Sequence, residues 1–550
     1  MPRAIFAGCA RSCAKYLPGV LANIDALAAT YDDFAVVIVE NDSTDDTRAL
    51  LQAWAADRPQ VRLILLDDLE TQHPLRTDRI AYGRNLCLSF AREPGFVDFE
   101  DLVLLDFDEV NSRPLDIAAF SAARAWLWGH RDRRAVFANP QPFYYDVWAL
   151  RHPGWSPDDC WEQVRASQGT LSLLEAKRRH IFARQISIPA DSEPILVESA
   201  FGGLGIYRRA TALHAHYQGL DEAGAEICEH VAFNRAVAGR AGKMAIFPAL
   251  TNSGPGRHIL GVIKGGKLIA LDQDGASCTL IGTRDHPLET YRAEHPFYDR
   301  RLPQLARLIS DQAPHATFID VGANIGDTIA LARLAGATMP AIAIEASLTY
   351  CKFLWANMLR TPDLMSDVRI AWGYVGAAGA EAEVRLGAGT GSAAGTGDGA
   401  VTEKAPALAL DRVARTLDVA LVKTDTDGFD QDVLASELPF LKAKHPIVWA
   451  EAQTECAADE QKWRRLLARM QGEWPNMILF DNFGFAIAAG STARLADQAV
   501  SMMAYARRQR RESVSQGIRP SFYYLDLALF PKRFDTVYGA FVEALPELHD

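Results

Sequence analysis

Short apolar runs alternate with helical patterns along the first 110 residues of the chain. Runs such as "RAIFAG", "FAVVIV", "VRLILLD" and "DLVLLD" have the length of buried strands. Between them, apolar residues recur every three or four positions, as in "LPGVLANIDALAATY". Strands that alternate with helices predict a parallel, doubly wound sheet. The first half of the chain is therefore expected to be an α/β domain.

The pattern changes after the stretch "TNSGPGRH". The following residues read as antiparallel strands that turn at "DG", and then as the helical pattern "RRLPQLARLIS". From "ATFIDVGANIGDT" onward, strands again alternate with helices. A chain of 550 residues exceeds what one core supports. We predict an α/β domain at residues 1–252, a linker with a β-hairpin at 253–310, and a second α/β domain at 311–550.

Composition narrows the function classes. The net charge of −12 disfavours nonspecific nucleic-acid binding, which depends on Lys and Arg neutralising phosphates. No apolar stretch approaches the ~20 residues needed to span a bilayer, and the cysteines are scattered singly. We expect a cytoplasmic protein. The basic run "ARRQRR" (506–511) predicts a solvated helix face, or else at most a peripheral contact with an anionic acceptor or membrane.

Acidic clusters follow two of the predicted strands. Glu40 and Asp42 come directly after "FAVVIV", and Asp106 and Asp108 follow "DLVLL". The first cluster has a second interpretation as a helix start with Ser43 as N-cap. The carboxyl ends of parallel strands are also where open α/β sheets bind ligands. Two aspartates at i and i+2 suit one hard cation such as Mn²⁺ or Mg²⁺.

The order of these features resembles the GT-A glycosyltransferases over residues 1 to about 252. Within them, the sequence looks most like the fungal capsule α-1,3-mannosyltransferase type and its bacterial relatives. The stretches that carry the resemblance are "ENDSTDDT", "GRN", "LDFDE", "FYYDVWALRHP", "ESAFGGLGIYRR" and "CEHVAFN". The resemblance implies a nucleotide-sugar donor, linked to GDP or UDP, and a glycan or glycolipid acceptor; mannose is one sugar it suggests.

The resemblance also implies which residues bind the donor. Glu40 and Asp42 would accept hydrogen bonds from the nucleoside, Arg84 and Asn85 would contact the phosphates or the sugar, and Asp106 would meet the diphosphate.

The same resemblance implies a metal site and a base. Asp106 and Asp108 would bind the cation, with His230 as a third ligand, and Glu229 would act as a base on the acceptor side. A structural pairing of Glu229 with His230 is the alternative.

A glycine-rich turn and an acidic strand end mark the second α/β domain. The turn "DVGANIGD" has two glycines, not the three of a dinucleotide fingerprint, and the strand "AIAIE" ends in an acidic residue about 20 positions later. These features, with "IEASLTYCKFLWANM" and "LVKTDTDGFDQDVL", resemble the FkbM family of methyltransferases that use S-adenosyl-L-methionine (SAM), over roughly 257–550. The resemblance implies that SAM is bound by Asp320, Gly322, Asn324, Gly326 and Glu345.

The family resemblance implies O-methylation, and methylating a sugar hydroxyl needs a base because the alcohol loses its proton. Asp425, at a strand end, is the first candidate, and Glu451, at the end of "HPIVWAE", is the second. The two could instead hold a divalent ion that acidifies the hydroxyl. Asp427 would lie beside them, or else form part of a helix-capping turn.

The fold class expected is thus α/β with two doubly wound domains, GT-A and then a Rossmann-like SAM methyltransferase. The function expected is a bifunctional enzyme that glycosylates and O-methylates one bacterial surface glycan or glycolipid precursor. An alternative keeps only methyl transfer, with the first domain as a glycan-recognition module. The sequence leaves the oligomeric state open.

Overall fold

The chain folds into two compact units. The computed structural model describes residues 2–254, 256–295, 297–365, 367–376, 381–386, 391–392, 402–517 and 522–549. The units are Met1–Val262 and Ile263–Asp550. No helix in the described part of the chain combines the length and the hydropathy needed to cross a bilayer.

The first unit contains one sheet flanked by helices. Its strands are β1 (Arg3–Ala10), β2 (Asp33–Asn41), β3 (Val61–Leu66), β4 (Asp101–Leu105), β5 (Arg133–Gln141), β6 (Ile195–Val197), β7 (Leu204–Arg208) and β8 (Lys243–Ser253). Its helices are α1 (Leu17–Ala28), α2 (Thr47–Ala55), α3 (Leu69–Gln72), α4 (Arg76–Ala91), α5 (Ile117–Trp128), α6 (Cys160–Ala166), α7 (Leu173–His180), α8 (Arg209–Ala212), α9 (Glu229–Ala238) and α10 (Gly256–Ile259).

The strand order in this sheet is β3-β2-β1-β4-β7-β5-β8-β6. Strands β1 to β4 run parallel, and β7 is antiparallel to both β4 and β5. From β1 the chain moves to β2 and β3 on one side and then to β4 on the other, so the carboxyl ends of these strands frame a topological switch point, the place where such sheets bind ligands.

Strand β2 shows why the first unit has helices on both faces of its sheet. Val36 and Ile38 pack into one hydrophobic core, whereas Val37 and Val39 pack into the other. A strand buried on both faces needs apolar residues at every position, and this explains the unbroken run "FAVVIV".

The second unit contains a large sheet and smaller ones. Its strands are β9 (Lys267–Gln273), β10 (Ala276–Gly282), β11 (Thr317–Val321), β12 (Ala341–Glu345), β13 (Val368–Trp372), β14 (Tyr374–Val375), β15 (Glu381–Leu386), β16 (Gly391–Ser392), β17 (Thr402–Leu408), β18 (Val419–Thr424), β19 (Ile447–Ala452), β20 (Asn476–Asp481), β21 (Ala486–Ser491) and β22 (Leu525–Phe530). Its helices are α11 (Leu288–Glu294), α12 (Arg301–Gln312), α13 (Asp327–Leu334), α14 (Leu348–Arg360), α15 (Pro362–Met365), α16 (Leu410–Ala414), α17 (Asp430–Ser436), α18 (Leu438–Lys444), α19 (Ala457–Met470), α20 (Thr492–Ser515) and α21 (Asp535–Glu543).

The order in the large sheet is β13-β12-β11-β18-β19-β22-β20-β21. Strands β11, β12, β13, β18 and β19 are parallel, and β22 is inserted antiparallel to β19 and β20. The chain switches sides between β11 and β18, which again sets a ligand site at these strand ends. Two α/β units with doubly wound sheets confirm the predicted fold class.

The predicted hairpin is present as β9 and β10. Asp274 and Gly275 form its turn with φ of +50° and +86°, values that a two-residue turn of this kind requires. The hairpin packs on the second unit, where Asn357 of α14 accepts a hydrogen bond from the Ile281 amide at 2.6 Å.

Candidate active sites

The acidic turn after β2 contains one buried and one accessible carboxylate. Glu40 has no exposed surface; it pairs with Arg48 and accepts the Ser43 amide at 3.1 Å. Asp42 is partly exposed, has φ of +48°, and accepts the Glu70 amide at 2.9 Å. Burial acts to raise the pKa of Asp42, but hydrogen bonds lower it below its ordinary value. Of the two, Asp42 is the one whose carboxylate is open to a ligand.

The expected N-cap at Ser43 is wrong. The helix begins at Thr47, and Asp46 precedes it without a side-chain cap. The Ser43 hydroxyl instead accepts the amide of Ser12, and the Asp45 carboxylate accepts that of Ala14. The side chains of Ser43 and Asp45 therefore hold the loop that follows β1. They do not cap the helix, which begins later, at Thr47.

Arg84 forms the centre of the site at the switch point of the first unit. It lies on α4, is 9% exposed, and donates to Asp106 at 3.0 Å. Its guanidinium is 3.6 Å from the Glu229 carboxylate and packs over the ring of Phe201. Burial raises the pKa of Asp106 to about 7, while Arg84 opposes this rise and Asp108 adds to it. The structure thus brings Arg84, Asp106 and Glu229 together.

His230 lies in the same cluster. Its ring is buried, stacks on Phe201 with centroids 3.8 Å apart, and contacts the Arg84 guanidinium through a ring nitrogen. Burial, and then Arg84, lower the pKa of His230 well below its usual range, so the ring is neutral at physiological pH. A neutral ring nitrogen can accept from Arg84 or bind a metal, but a cation beside it opposes a second one.

Asp106 and Asp108 are the residues that would hold a metal ion at this site. The described residues contain no group of three or more His, Cys, Asp or Glu side chains placed to hold a metal. Mg²⁺ commonly uses one or two carboxylates together with substrate phosphates, and the two aspartates satisfy that requirement. The role of His230 as a third ligand stays a prediction.

The side chain of Asn85 bonds to the segment before α9. Its side-chain amide donates to the Tyr217 carbonyl at 3.0 Å and accepts the Tyr217 amide at 2.9 Å. It also contacts His216 at 3.1 Å. Asn85 therefore holds the segment before α9 in place, and contact with the donor stays a prediction. The neighbouring Gly83 is required by packing, since a Cβ there would lie 2.8 Å from the Cys9 sulfur.

Asp146 is a site residue that the sequence analysis missed. Its carboxylate accepts the Gly202 amide at 3.1 Å, in the glycine-rich turn that leads into β7. Burial raises the pKa of Asp146 to about 6; the Gly202 amide opposes this, and Glu229 adds to it. The signal was present in "FYYD", an aspartate shortly after the buried strand β5.

The glycine-rich turn of the second unit brings two strand ends into close contact. Gly322 has φ of +80°, and a Cβ there would lie 1.9 Å from the Asp425 carbonyl. Gly326 has φ of +87°, and a Cβ there would meet Leu354 at 2.3 Å. Both positions need glycine for conformation and for space. Asn324, between them, also has a positive φ of 48°.

Glu345 supports this turn from the end of β12. One carboxylate oxygen accepts the Asn324 amide at 2.8 Å and the other accepts the Ser347 amide at 2.7 Å. Burial raises the pKa of Glu345 to about 7, against the effect of these two hydrogen bonds. Glu345 also lines the cavity described below, so lone pairs remain for a ligand hydroxyl.

Lys423 joins two of the predicted residues and was itself missed. Its ammonium lies 3.2 Å from Asp320 and 3.2 Å from Asp425. Asp320 is fully buried, and burial raises its pKa to about 6 against the effect of Lys423. Asp320 therefore acts on the cavity only through Lys423, while the Asp425 side chain is 45% exposed.

A cavity of about 800 Å³ opens at the switch point of the second unit. Six of the predicted residues line it: Gly322, Asn324, Glu345, Asp425, Asp427 and Glu451. This volume lies within the range of small-molecule and cofactor sites. A turn with two glycines in close contact with neighbouring residues, an acidic residue at a strand end and this cavity together fit SAM.

The capping interpretation of Asp427 is not supported by the helix that follows. Helix α17 begins at Asp430, its N-cap is Phe429, and it has no side-chain cap. Asp427 has φ of +51° and lines the cavity. Burial, and then Asp425, raise the pKa of Asp427 to about 6.

The basic run on α20 is only partly solvated. Arg507 pairs with Glu460 at 2.8 Å, and Arg510 pairs with Glu455 at 2.6 Å. Arg508 and Arg511 are exposed.

A family model matches part of the first unit. Residues 9–71 match the model of glycosyl transferase family 2. None of the curated proteins compared with this chain matches it. Among solved structures, TarS 1-349 of S. aureus is 12% identical with a TM-score of 0.28, and it covers 48% of this chain and 64% of its own.

Two further structures show similarity at the same low level. The mannosyltransferase PcManGT of Pyrobaculum calidifontis, in complex with GDP-Man and Mn²⁺, is 17% identical with a TM-score of 0.28, over 46% of this chain and 56% of its own. The methyltransferase FkbM of Methylobacillus flagellatus is 15% identical with a TM-score of 0.19, over 25% and 33%. The chain thus spans less than two thirds of each of these proteins.

At these identities and TM-scores, similarity to a structure does not indicate a shared activity. The family match agrees with the predicted glycosyltransferase resemblance independently of them, because it spans the acidic turn after β2. Residues 9–71 of the first unit are therefore similar to glycosyl transferase family 2.

Proposed function

We propose that the first unit transfers a sugar from a nucleotide-sugar donor to a glycan or glycolipid acceptor, and that the second methylates a hydroxyl of the same glycan with SAM. The observation that supports this best is the position of both sites. Each unit gathers ionisable side chains at the carboxyl ends of its central parallel strands, around Arg84 and Asp106 in the first and Asp425 in the second. The setting proposed is cytoplasmic assembly of a bacterial surface polysaccharide or glycolipid.

In the first unit, Asp106 and Asp108 would hold a divalent cation that shields the donor's diphosphate and stabilises it as leaving group. Arg84, already 3.0 Å from Asp106, offers a second positive charge to the same phosphates. Asp42, at the end of β2 two strands away from β4, would accept hydrogen bonds from the nucleoside.

The acceptor hydroxyl must lose a proton when the sugar is transferred. Glu229 lies 3.6 Å from the Arg84 guanidinium, whereas Asp146 has its pKa raised to about 6 by burial. A base works best when its pKa lies near the working pH. We therefore add Asp146 to Glu229 as a candidate base.

In the second unit, Asp425 would accept the proton of the acceptor hydroxyl as that oxygen takes the methyl group. SAM, when bound, supplies an electrophilic methyl group. Lys423 fixes the Asp425 carboxylate from one side, and 45% of the side chain is exposed and free to meet an acceptor. Glu345 and the Gly322 turn would hold the nucleoside part of SAM.

The test measures the two activities separately in the full chain. Wild type should hydrolyse or transfer sugar from GDP- or UDP-linked donors in the presence of Mn²⁺, and should bind SAM in calorimetry. Asp106→Ala with Asp108→Ala should lose the first activity and keep the second, because separate domains behave independently. Transfer by the double variant at the wild-type rate would refute the donor site.

The alternative, a first unit that only recognises glycan, gives a different result. Wild type would then bind SAM and methylate, yet leave every donor sugar intact with or without Mn²⁺. The direct pairing of Arg84 with Asp106 is the observation that favours this alternative, because it already neutralises the carboxylate that a metal would need.

A further inference from the structure

Three carboxylates form a row across the sheet of the second unit. Thr424 pairs with Ala450, so Asp425 and Glu451 each lie one residue beyond that pair on adjacent strands. Glu451 pairs directly with Asp526 of β22. Paired residues in adjacent strands point to the same face, so Asp425, Glu451 and Asp526 line one side. All three face the cavity.

The row extends away from the glycine-rich turn. The turn follows β11, and the strands that lie next to β11 in the sheet are, in order, β18, β19 and β22. With strands about 4.8 Å apart, Glu451 lies roughly 5 Å and Asp526 roughly 10 Å beyond Asp425. These two carboxylates are therefore on the acceptor side of the cavity and not on the side proposed for SAM.

Glu451 has no partner among the described residues. Its side chain makes no hydrogen bond and no ion pair there, although it is only 8% exposed and borders the cavity. Burial, followed by the neighbouring Asp425, raises the pKa of Glu451 well above its ordinary value. Like charges directly opposite each other on a sheet are destabilising. The Glu451–Asp526 pair is thus unfavourable while both groups are charged, and either protonation of one carboxyl or a bound cation relieves the repulsion.

The protein itself does not supply that positive charge. Eight carboxyl side chains line the cavity, against one lysine and one arginine. Lys423 is already paired with Asp320 and Asp425. Arg301 is paired with Glu547 at 2.7 Å. Neither of them has an ion pair with Glu451 or Asp526 within the described residues.

The lining favours an ammonium group over a metal ion. The described residues contain no group of three or more His, Cys, Asp or Glu side chains placed to hold a metal. Tyr298, Tyr524 and Phe483 also line the cavity. Aromatic faces combined with carboxylates are the usual environment for an organic cation.

We propose that the methyl acceptor presents an ammonium group, as an amino sugar does, to Glu451 and Asp526. This inference rests on the proposed methyltransferase function and names the class of its substrate. The ammonium binds beside the reacting hydroxyl, which stays next to Asp425. A neutral sugar of the same shape leaves the carboxylates unpaired and binds more weakly.

The experiment titrates the full chain, saturated with S-adenosylhomocysteine, with glucosamine and separately with N-acetylglucosamine at pH 7 in a calorimeter. N-acetylglucosamine carries a neutral acetamide in place of the ammonium of glucosamine and is larger by its acetyl group. We expect glucosamine to bind at least tenfold more tightly. Glu451→Gln should remove this preference, and Asp526→Asn provides the same test through a second strand if the first variant folds poorly.

Asp432→Asn is the matched control. Asp432 also borders the cavity, but its charge is already paired with Lys462 at 2.8 Å, so the preference should persist. Equal binding of the two sugars, or binding of neither, overturns the inference. So does Mn²⁺ that binds through Glu451 and excludes glucosamine. A chain that fails to bind S-adenosylhomocysteine refutes the proposed function itself, and the inference with it.

Discussion

The two strand-end sites have the same position in their sheets but differ in how their carboxylates are paired. In the first unit, a buried guanidinium contacts two of the carboxylates, with Arg84 3.0 Å from Asp106 and 3.6 Å from Glu229. In the second unit, the available ammonium of Lys423 is used by Asp320 and Asp425. Glu451, one strand further along, is left without a partner among the described residues.

We infer from this difference that the fold sets the position of each proposed ligand site and the side chains set the charge of the ligand it suits. A site with a buried arginine suits an anion such as a diphosphate. A site with surplus carboxylates suits a cation. Both arise at the carboxyl ends of parallel strands, so strand topology alone would not separate them.

The largest expected effect is the loss of the compensating charge in the first unit. Arg84→Ala leaves the half-buried carboxylate of Asp106 and the buried carboxylate of Glu229 without their partner, and breaking a buried pair typically costs about 3–5 kcal/mol. We expect a lower unfolding midpoint for the first unit and no sugar transfer. Urea unfolding followed by circular dichroism, together with a nucleotide-release assay, measures both.

Arg124→Ala is the control for that variant. Arg124 pairs with Asp101, a carboxylate with no exposed surface at the start of β4, so the variant also breaks a buried pair in the first unit. It should destabilise the unit but leave donor binding intact once the protein is folded. Equal loss of donor binding in both variants would show that Arg84 acts only through stability.

The second prediction concerns the pH dependence of the second unit. Burial raises the pKa of Asp430 to about 7, from an ordinary value of 3.8, and Asp425 adds to the rise. Between these pH values the folded chain binds more protons than the unfolded chain, so the free energy of unfolding falls as pH rises from about 4 to 7. Asp430→Asn should remove this fall, worth about 2–4 kcal/mol at pH 8.

Thermal unfolding at pH 5 and pH 8 tests this directly. Wild type should lose more stability between the two pH values than Asp430→Asn does. Asp432→Asn, on the same helix, removes one charge from an exposed position and should behave like wild type. If Asp430→Asn kept the pH dependence of the wild type, the raised pKa of Asp430 would not contribute to the stability of the second unit.

These contrasts mark how far the sequence could predict the sites. The acidic strand ends at Asp106, Glu345 and Asp425 were predictable because an apolar run followed by a polar residue fixes the end of a buried strand. The pairing of Arg84 with Glu229 was not, because the two are far apart in the chain and meet only through tertiary packing.

Asn85 and Asp526 show two further reasons why the sequence did not predict every contact in the sites. Asn85 follows Arg84 by one position, so on a helix it points in a different direction, and adjacent positions do not share a face. Asp526 lies in a strand that returns antiparallel beside β19, and no local pattern in "FYYLDLALF" indicates that neighbour.

The third prediction concerns the carboxylate that supports the SAM turn. Glu345→Gln replaces one accepting oxygen with an amide donor that faces the Asn324 or the Ser347 amide. We expect SAM binding to weaken by about 1.5–3 kcal/mol, the usual value of a hydrogen bond to a charged group. Calorimetry measures the affinity for SAM, and turnover of the sugar donor by the first unit shows that the rest of the chain is intact.

Glu403→Gln is the comparison for this variant. Glu403 is also buried and accepts from the Ser347 hydroxyl at 2.8 Å, but it is not among the residues that line the cavity. Its replacement should lower stability with little change in SAM affinity. If both variants weakened SAM binding equally, Glu345 would matter only for the shape of the turn.

The smallest effect on ligand binding is expected from Arg510, which tests whether an outer cation compensates the carboxylate row. Arg510 donates to the Tyr523 carbonyl at 3.0 Å, to the Thr454 carbonyl at 2.7 Å and to Glu455 at 2.6 Å. The guanidinium of Arg510 is engaged by these groups, so Arg510→Ala should lower the free energy of unfolding by about 1–3 kcal/mol. Its affinity for glucosamine should change by less than about twofold, which corresponds to roughly 0.4 kcal/mol.

Arg508→Ala is the control, at an exposed position on the same helix. It should change neither quantity by more than about 0.5 kcal/mol. A clear gain in glucosamine affinity for Arg510→Ala alone would mean that this arginine partly neutralises the row, and the contrast between the two units would then be one of degree.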